Sequence, residues 1–198
     1  MAFKDGIVNE EFYENSAVKI LWILKEVNHD GDISDWDMTK ILQNIKTNTG
    51  IEAGWEKTFG PIVHSTYGIL NQKIWDEIPY YYNKPEIVNV LKEIAYINVN
   101  KTSGNSIIHF STLENAYIEN KNLLFEQINE INPSIIIYGG TYYLFEKDIE
   151  VNVKNKSIKH IDAYHSAQRQ ITHKKYCNQI IEEAINIQKK YKDLKVHI

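Results

Sequence analysis

Polar side chains that can exchange protons or hydrogen bonds follow four apolar segments of the chain. Glu26 follows the first segment, Asn98 lies in the second, the pair Gly139-Gly140 ends the third, and His165 follows the fourth. A carboxylate can activate water, an amide offers both a donor and an acceptor, and an imidazole changes protonation near neutral pH. If the segments are parallel strands, their carboxyl ends meet at one edge of the sheet, where α/β proteins bind ligands. The order of these residues therefore predicts one site at that edge.

The segments that must position this site have the length and β-branched content of buried strands. The predicted strands are residues 18–24, 94–100, 134–138 and 157–164. Apolar residues at helical spacing, together with local breaks in the pattern, predict helices between them. The predicted helices are residues 35–46, 61–76, 85–92, 112–131 and 170–191. This alternation predicts an α/β fold: one domain over residues 1–198, with three layers around a central, mostly parallel four-stranded sheet.

The composition excludes several classes of protein. The chain has 198 residues with 43% hydrophobic and 24% charged residues, which is globular usage and not that of a disordered chain. The net charge of −4 gives no strong nonspecific attraction to nucleic acid. Cys177 is the only cysteine, so an internal disulfide and a four-cysteine iron–sulfur cluster are excluded. With no apolar run of about 20 residues and a polar N-terminal segment, we expect a cytoplasmic protein with no membrane partner.

Four segments between Val18 and Cys177 together resemble motifs of the uracil-DNA glycosylase superfamily, whose members are α/β domains of this size. They are Ile-Leu-Trp-Ile-Leu-Lys-Glu, Ala-Tyr-Ile-Asn-Val-Asn-Lys, Ile-Asn-Pro-Ser-Ile-Ile-Ile-Tyr-Gly-Gly and Ala-Tyr-His-Ser-Ala. The family's first loop reads Gly-Glu-Ala-Pro-Gly or Gly-Gln-Asp-Pro-Tyr, whereas this chain has Lys-Glu-Val-Asn-His from Lys25. His165 also lacks the proline that follows the family's histidine.

The resemblance implies roles for the residues that match these motifs. Glu26 would position or activate the attacking water, and His165 would donate to the base as negative charge develops on it. Asn98 would read the edge of the base, with Asn100 as the second candidate on the same face. The loop acids Asp30 and Asp32 are alternatives to Glu26.

Further residues are candidates for contacts with the flipped nucleotide and its strand. Phe59 or Trp55, which follow the first loop, would supply an aromatic ring that stacks on the base. Lys101, Gln168 and Arg169 would contact DNA, and Arg169 is the single arginine beside 21 lysines.

The sequence therefore predicts a monomeric DNA glycosylase that removes uracil or a related deaminated base without metal or cofactor. Its partner would be DNA that contains the damaged base. An alternative is a catalytically silent relative that binds a nucleic acid or nucleobase, which the altered first loop and the acidic net charge favour. A third hypothesis treats His29, Asp30 and Asp32 as metal ligands of a hydrolase, although their spacing matches no defined metal loop.

Overall fold

The computed structural model describes residues 3–29, 31–104 and 110–196. The strands are β1 (Gly6–Ile7), β2 (Ile20–Leu24), β3 (Val27–Asn28), β4 (Lys46–Thr47), β5 (Gly50–Ile51), β6 (Ile94–Asn98), β7 (Ser103–Gly104), β8 (Ile135–Gly139) and β9 (Lys159–Ala163). The α-helices are α1 (Glu10–Asn15), α2 (Met38–Asn44), α3 (Glu56–Asn71), α4 (Phe110–Ile131), α5 (Tyr142–Phe145), α6 (Ile149–Asn152) and α7 (His173–Val196). Two 3₁₀ helices cover Trp75–Glu77 and Pro85–Glu93.

The chain folds into two compact units, each built from two separate stretches of sequence. The sheet unit comprises Met1–Asn44 and Lys92–His165, and the helix unit comprises Ile45–Leu91 and Ser166–Ile198. Of the helices in the described part of the chain, none combines the length and the apolar character needed to cross a bilayer.

A mixed five-stranded sheet in the order β1-β6-β2-β8-β9 forms the centre of the sheet unit. The four longer strands are parallel, as predicted, and β2, β6 and β8 are buried along their whole length. The prediction of four strands is wrong, because β1 adds a fifth strand antiparallel to β6, with Gly6 opposite Tyr96. A strand of two residues is too short to show an alternating pattern, so the sequence does not predict β1.

Helix α4 buries its apolar stripe against one face of this sheet. Leu113, Tyr117, Leu124 and Ile128 recur at helical spacing and join a single cluster of buried residues with alternate residues of the strands. Each such side chain contributes about 1.5–3 kcal/mol when fully buried. The helix therefore covers one face of the sheet and stabilises the strands that carry the site residues.

Helices α3 and α7 approach each other closely within the helix unit. A Cβ atom added to Gly68 would lie 2.4 Å from Cδ1 of Ile181, so the contact depends on glycine. Helix α3 begins at Glu56 and not near residue 61 as predicted. The start of α3 therefore includes Phe59, which the prediction left outside the helix.

Candidate functional site

The carboxyl ends of the four parallel strands lie at one edge of the sheet unit. Leu24 pairs with Asn98 in register, and Gly139 pairs with Ala163. The residues predicted for the site therefore follow neighbouring strands. Because neighbouring strands lie about 4.8 Å apart, β6 and β9 are separated by about 14 Å. Asn98 and His165 thus lie on the same edge but at its two sides, and a bound molecule would have to bridge them.

Asn98 is fully buried and its backbone and side-chain carbonyl are held in place. Its backbone N–H donates to Oδ2 of Asp5 over 2.8 Å, and the hydroxyl of Tyr96 donates to its Oδ1 over 2.9 Å. Its amide nitrogen Nδ2 is buried and has no hydrogen-bond partner in the structure. An unpaired buried donor lowers the stability of the folded protein by about 1–3 kcal/mol. The fold nevertheless retains this N–H donor, which makes no hydrogen bond within the described residues.

Lys101 belongs to a buried polar cluster beneath Asn98. Its ammonium lies 2.8 Å from Oδ2 of Asp5 and 2.9 Å from Oε1 of Gln127. The side chains of Asp5 and Lys101 are only 2% and 14% exposed. Burial lowers the pKa of Lys101, while the charge of Asp5 opposes that shift. The ammonium is therefore committed to an internal ion pair, and this geometry does not support the predicted contact of Lys101 with DNA.

Glu26 lies half-buried just beyond β2, within hydrogen-bonding distance of Asn100. Nδ2 of Asn100 donates to Oε2 of Glu26 over 2.9 Å, while Oδ1 of Asn100 accepts from the backbone and hydroxyl of Thr102. Burial raises the pKa of the Glu26 carboxyl, and the hydrogen bond from Asn100 and the charge of Lys25 oppose that rise. Asn100 thus orients the carboxylate, and both ends of its amide group have partners within the chain.

His165 lies at the other side of the edge, beside Gly140. Gly140 has φ of +73°, and a Cβ atom there would lie 3.2 Å from the backbone nitrogen of His165. Burial lowers the pKa of His165 to about 4, and the positive charge of Lys25 adds to that effect. The imidazole is consequently neutral at physiological pH, with one N–H that can donate a hydrogen bond.

The other predicted contact residues belong to the helix unit. Phe59 is fully buried and packs against Trp55, with ring centroids 5.5 Å apart. That packing is typical of a core side chain, so neither face of Phe59 is open to a base. Gln168 uses its side chain to brace its own turn through bonds with Gln170 and Ile171. Only Arg169 is exposed at the surface as a phosphate contact requires.

Two of the three residues of the metal hypothesis, His29 and Asp32, lie in the described part of the chain, and each contacts other side chains there. His29 packs on Trp36 with centroids 4.7 Å apart, and Asp32 accepts hydrogen bonds from Ser34. Asp30 lies outside the described residues. Among those that are described, no three His, Cys, Asp or Glu side chains are placed to hold a metal ion.

A cavity of about 330 Å³ opens in the sheet unit away from the strand ends. Its lining includes Phe125, Asn129 and Lys154, and none of the predicted site residues borders it. The carboxyl edge therefore remains the candidate site on the strength of its chemistry and not of a cavity.

Sequence reasoning missed two residues that shape this edge. Tyr96 lies two positions before Asn98 and hence on the same face of β6, a signal that the sequence did contain. Asp5 is separated from Asn98 by 93 positions, and no local pattern connects them.

No protein-family model matches the chain, and none of the curated proteins matches its sequence. The resemblance to the uracil-DNA glycosylase superfamily accordingly rests on the motifs alone and stays a prediction.

Proposed function

We propose that the chain is a DNA glycosylase-like enzyme that hydrolyses the N-glycosidic bond of uracil or a related deaminated base in DNA. The observation that carries this proposal is the unpaired, fully buried amide nitrogen of Asn98. A protein gains nothing in stability from an unused buried donor, whereas a base carbonyl could accept its hydrogen bond. The reaction would belong to base-excision repair of DNA damage and would use neither metal nor cofactor.

Glu26 is the group that would position the attacking water in this reaction. Asn100 holds Oε2, and the second carboxylate oxygen is available to accept a hydrogen bond from water. The raised pKa makes the carboxylate a better base than an exposed glutamate, and its negative charge also favours the oxocarbenium character of the sugar.

His165 would act on the departing base. When the glycosidic bond breaks, its electron pair stays with the base, and negative charge builds up on the ring oxygens. A neutral imidazole can donate a hydrogen bond to that charge without first giving up a proton. The pKa of about 4 keeps His165 in that form.

The remaining parts of the proposal concern the whole protein and its partner. Arg169, in the helix unit, is the exposed cation that would contact a phosphate of the strand. We propose that the protein acts as a monomer with three layers and a single functional domain.

The experiment is a glycosylase assay on a labelled strand with one uracil, in single-stranded, U:A and U:G contexts. EDTA is present, and alkali reveals abasic sites. We expect His165→Ala and Glu26→Gln each to lower single-turnover excision by about 10²-fold or more, the usual contribution of acid–base groups. His29→Ala is the matched control, because His29 is an exposed histidine of the same unit.

If wild type excises uracil and both site variants do so at the same rate, Glu26 and His165 have no part in the mechanism. If folded wild type cleaves none of the three substrates, the proposal of uracil excision fails.

Binding without excision is the second candidate function. Val27 is 5% exposed and stands where one version of the family's loop has an aspartate, so that position carries no carboxylate. Tight binding of uracil-containing DNA by wild type, lost in Asn98→Ala and unaccompanied by product, would favour this alternative.

A further inference from the structure

Lys25 is a cation at the carboxyl edge to which the proposed mechanism gives no task. It follows β2 directly, and its backbone carbonyl accepts a hydrogen bond from the N–H of Asn100 over 2.8 Å. Its side chain is half-buried and forms no ion pair with a carboxylate of the described residues. The backbone of Lys25 is thus fixed, while its ammonium forms no ion pair with any acid that the structure describes.

Gly140 leaves the space through which the Lys25 side chain passes. A Cβ atom on Gly140 would lie 3.3 Å from Cε of Lys25 and 3.5 Å from Cβ of His165. Both side chains therefore lie against Gly140. Because both distances start at the same added Cβ atom, Cε of Lys25 and Cβ of His165 are no more than about 7 Å apart. A Cβ atom at position 140 would crowd Cε of Lys25 and also the backbone nitrogen of His165, which would lie 3.2 Å away.

The charges around this point favour an anion. The charge of Lys25 adds to the lowering of the His165 pKa that burial causes, and it opposes the rise in the Glu26 pKa, so it reaches both groups. Because both side chains lie against Gly140, a cation and a neutral imidazole, which carries a ring N–H, share this part of the edge. Glu26 follows Lys25 directly in the chain, and its Oε2 is held by the hydrogen bond from Asn100.

We propose that Lys25, together with the neighbouring His165, forms an oxyanion-binding subsite at the carboxyl edge of the sheet. The inference rests on the proposed function, because its occupant would be either the anion of the departing base or a phosphate of the DNA strand. Lys25 stands where the family's first loop has glycine, so the subsite is a property of this chain's own sequence.

Binding assays can test the subsite without any turnover. Wild type, Lys25→Met and Lys25→Arg are titrated by calorimetry with 5-fluorouracil, below and above the pH at which this base ionises, and separately with inorganic phosphate. Lys147→Met is the control, because Lys147 is an exposed lysine of the same unit. We expect Lys25→Met to weaken binding of one anion by about tenfold or more, as loss of a charged hydrogen-bond donor does. Lys25→Arg and Lys147→Met should retain that binding, and neutral 5-fluorouracil should bind all four proteins equally.

The two probes identify the occupant. Selective loss of the ionised base assigns the subsite to the departing base, and selective loss of phosphate assigns it to the DNA strand. The proposal is overturned if wild type binds neither anion, or if Lys25→Met binds both anions as tightly as wild type does. Uracil excision is scored separately: a Lys25-dependent anion site in a protein that excises nothing would refute only the proposed function.

Discussion

The two sides of the carboxyl edge fix their polar groups by different means. On the amide side, Asn98 and Asn100 are held by hydrogen bonds of 2.8–2.9 Å to Asp5, Tyr96 and Glu26. On the imidazole side, a glycine at φ +73° lets two side chains lie together, and burial beside a cation sets the charge of one of them. The comparison shows that hydrogen bonds determine orientation on one side, whereas backbone shape and desolvation determine protonation on the other. Substitutions that remove a hydrogen-bonding group should therefore act mainly on the amide side, and substitutions that add atoms should act mainly on the imidazole side.

The largest effect is expected from Asp5→Ala on the amide side. The substitution leaves the ammonium of Lys101 buried without its carboxylate, which costs about 3–5 kcal/mol for such pairs. Urea unfolding measures this loss. The control is Lys4→Ala, which removes an exposed ion pair with Asp37 and should cost at most about 1 kcal/mol. Equal losses in the two variants would mean that the amide side does not depend on its buried cluster.

Gly140→Ala is the corresponding test of the imidazole side, with a smaller expected loss. A residue with a Cβ atom at positive φ costs about 1–2 kcal/mol, and the added atom would press on Lys25 and His165. Gly54→Ala is matched for backbone strain, because Gly54 has φ of +92° with no atom near its added Cβ. Urea unfolding should show a larger loss at Gly140, and the NMR signals of the His165 ring should shift only in that variant.

The partly buried imidazole of His165 should make stability depend on pH. The folded pKa of His165 is about 4 and its usual value is 6.5, so the unfolded chain takes up a proton that the folded chain refuses. His165 therefore lowers the free energy of unfolding as pH falls from 6.5 towards 4, and has no effect above 6.5. Urea titrations near neutral pH and near about pH 5 should show this slope in wild type and a reduced one in His165→Gln. A slope in His165→Gln equal to that of wild type would show that His165 is not its source.

Glu26→Gln should give the smallest change in stability, and it should be favourable. Burial raises the pKa of the carboxyl above its usual 4.5, so the ionised form weakens the folded state at neutral pH. Glutamine keeps an oxygen for the hydrogen bond from Asn100 and carries no charge. The variant should therefore unfold at slightly higher urea than wild type near neutral pH, and this advantage should vanish below pH 4.5. A variant less stable than wild type at neutral pH would show that the ionised carboxylate stabilises the amide side.

The parallel strands and the long helix α4 could be predicted from sequence because their patterns are local. A run such as residues 20–24 has no polar position, and α4 repeats its apolar residues every three or four positions. Helix α2 is shorter than predicted, Met38–Asn44 within residues 35–46. The hydroxyl and N–H of Thr39 bond to Asp37, which lies directly before the helix begins.

The candidate site could be predicted in part. Strand order and direction suffice to bring Glu26, Asn98 and His165 to one edge, because parallel strands end together. The sequence could not show that Lys101 is neutralised by a residue 96 positions earlier, or that Phe59 is buried in a helix. Whether a charge is paired and how deeply a side chain is buried depend on neighbours that are distant in sequence, so side-chain type alone does not reveal either property.

The sequence by itself determined which chemical groups the strands deliver and to which edge, since alternation and strand direction follow from local patterns. Only the tertiary structure determined the hydrogen bonding, burial and protonation of those groups. Asp5 folds back to hold Asn98 and Lys101, and Tyr96 fixes the carbonyl of Asn98 so that its amide nitrogen remains unpaired. Burial beside Lys25 keeps His165 neutral, because desolvation and the field of a nearby charge depend on the packed surroundings and not on the residue.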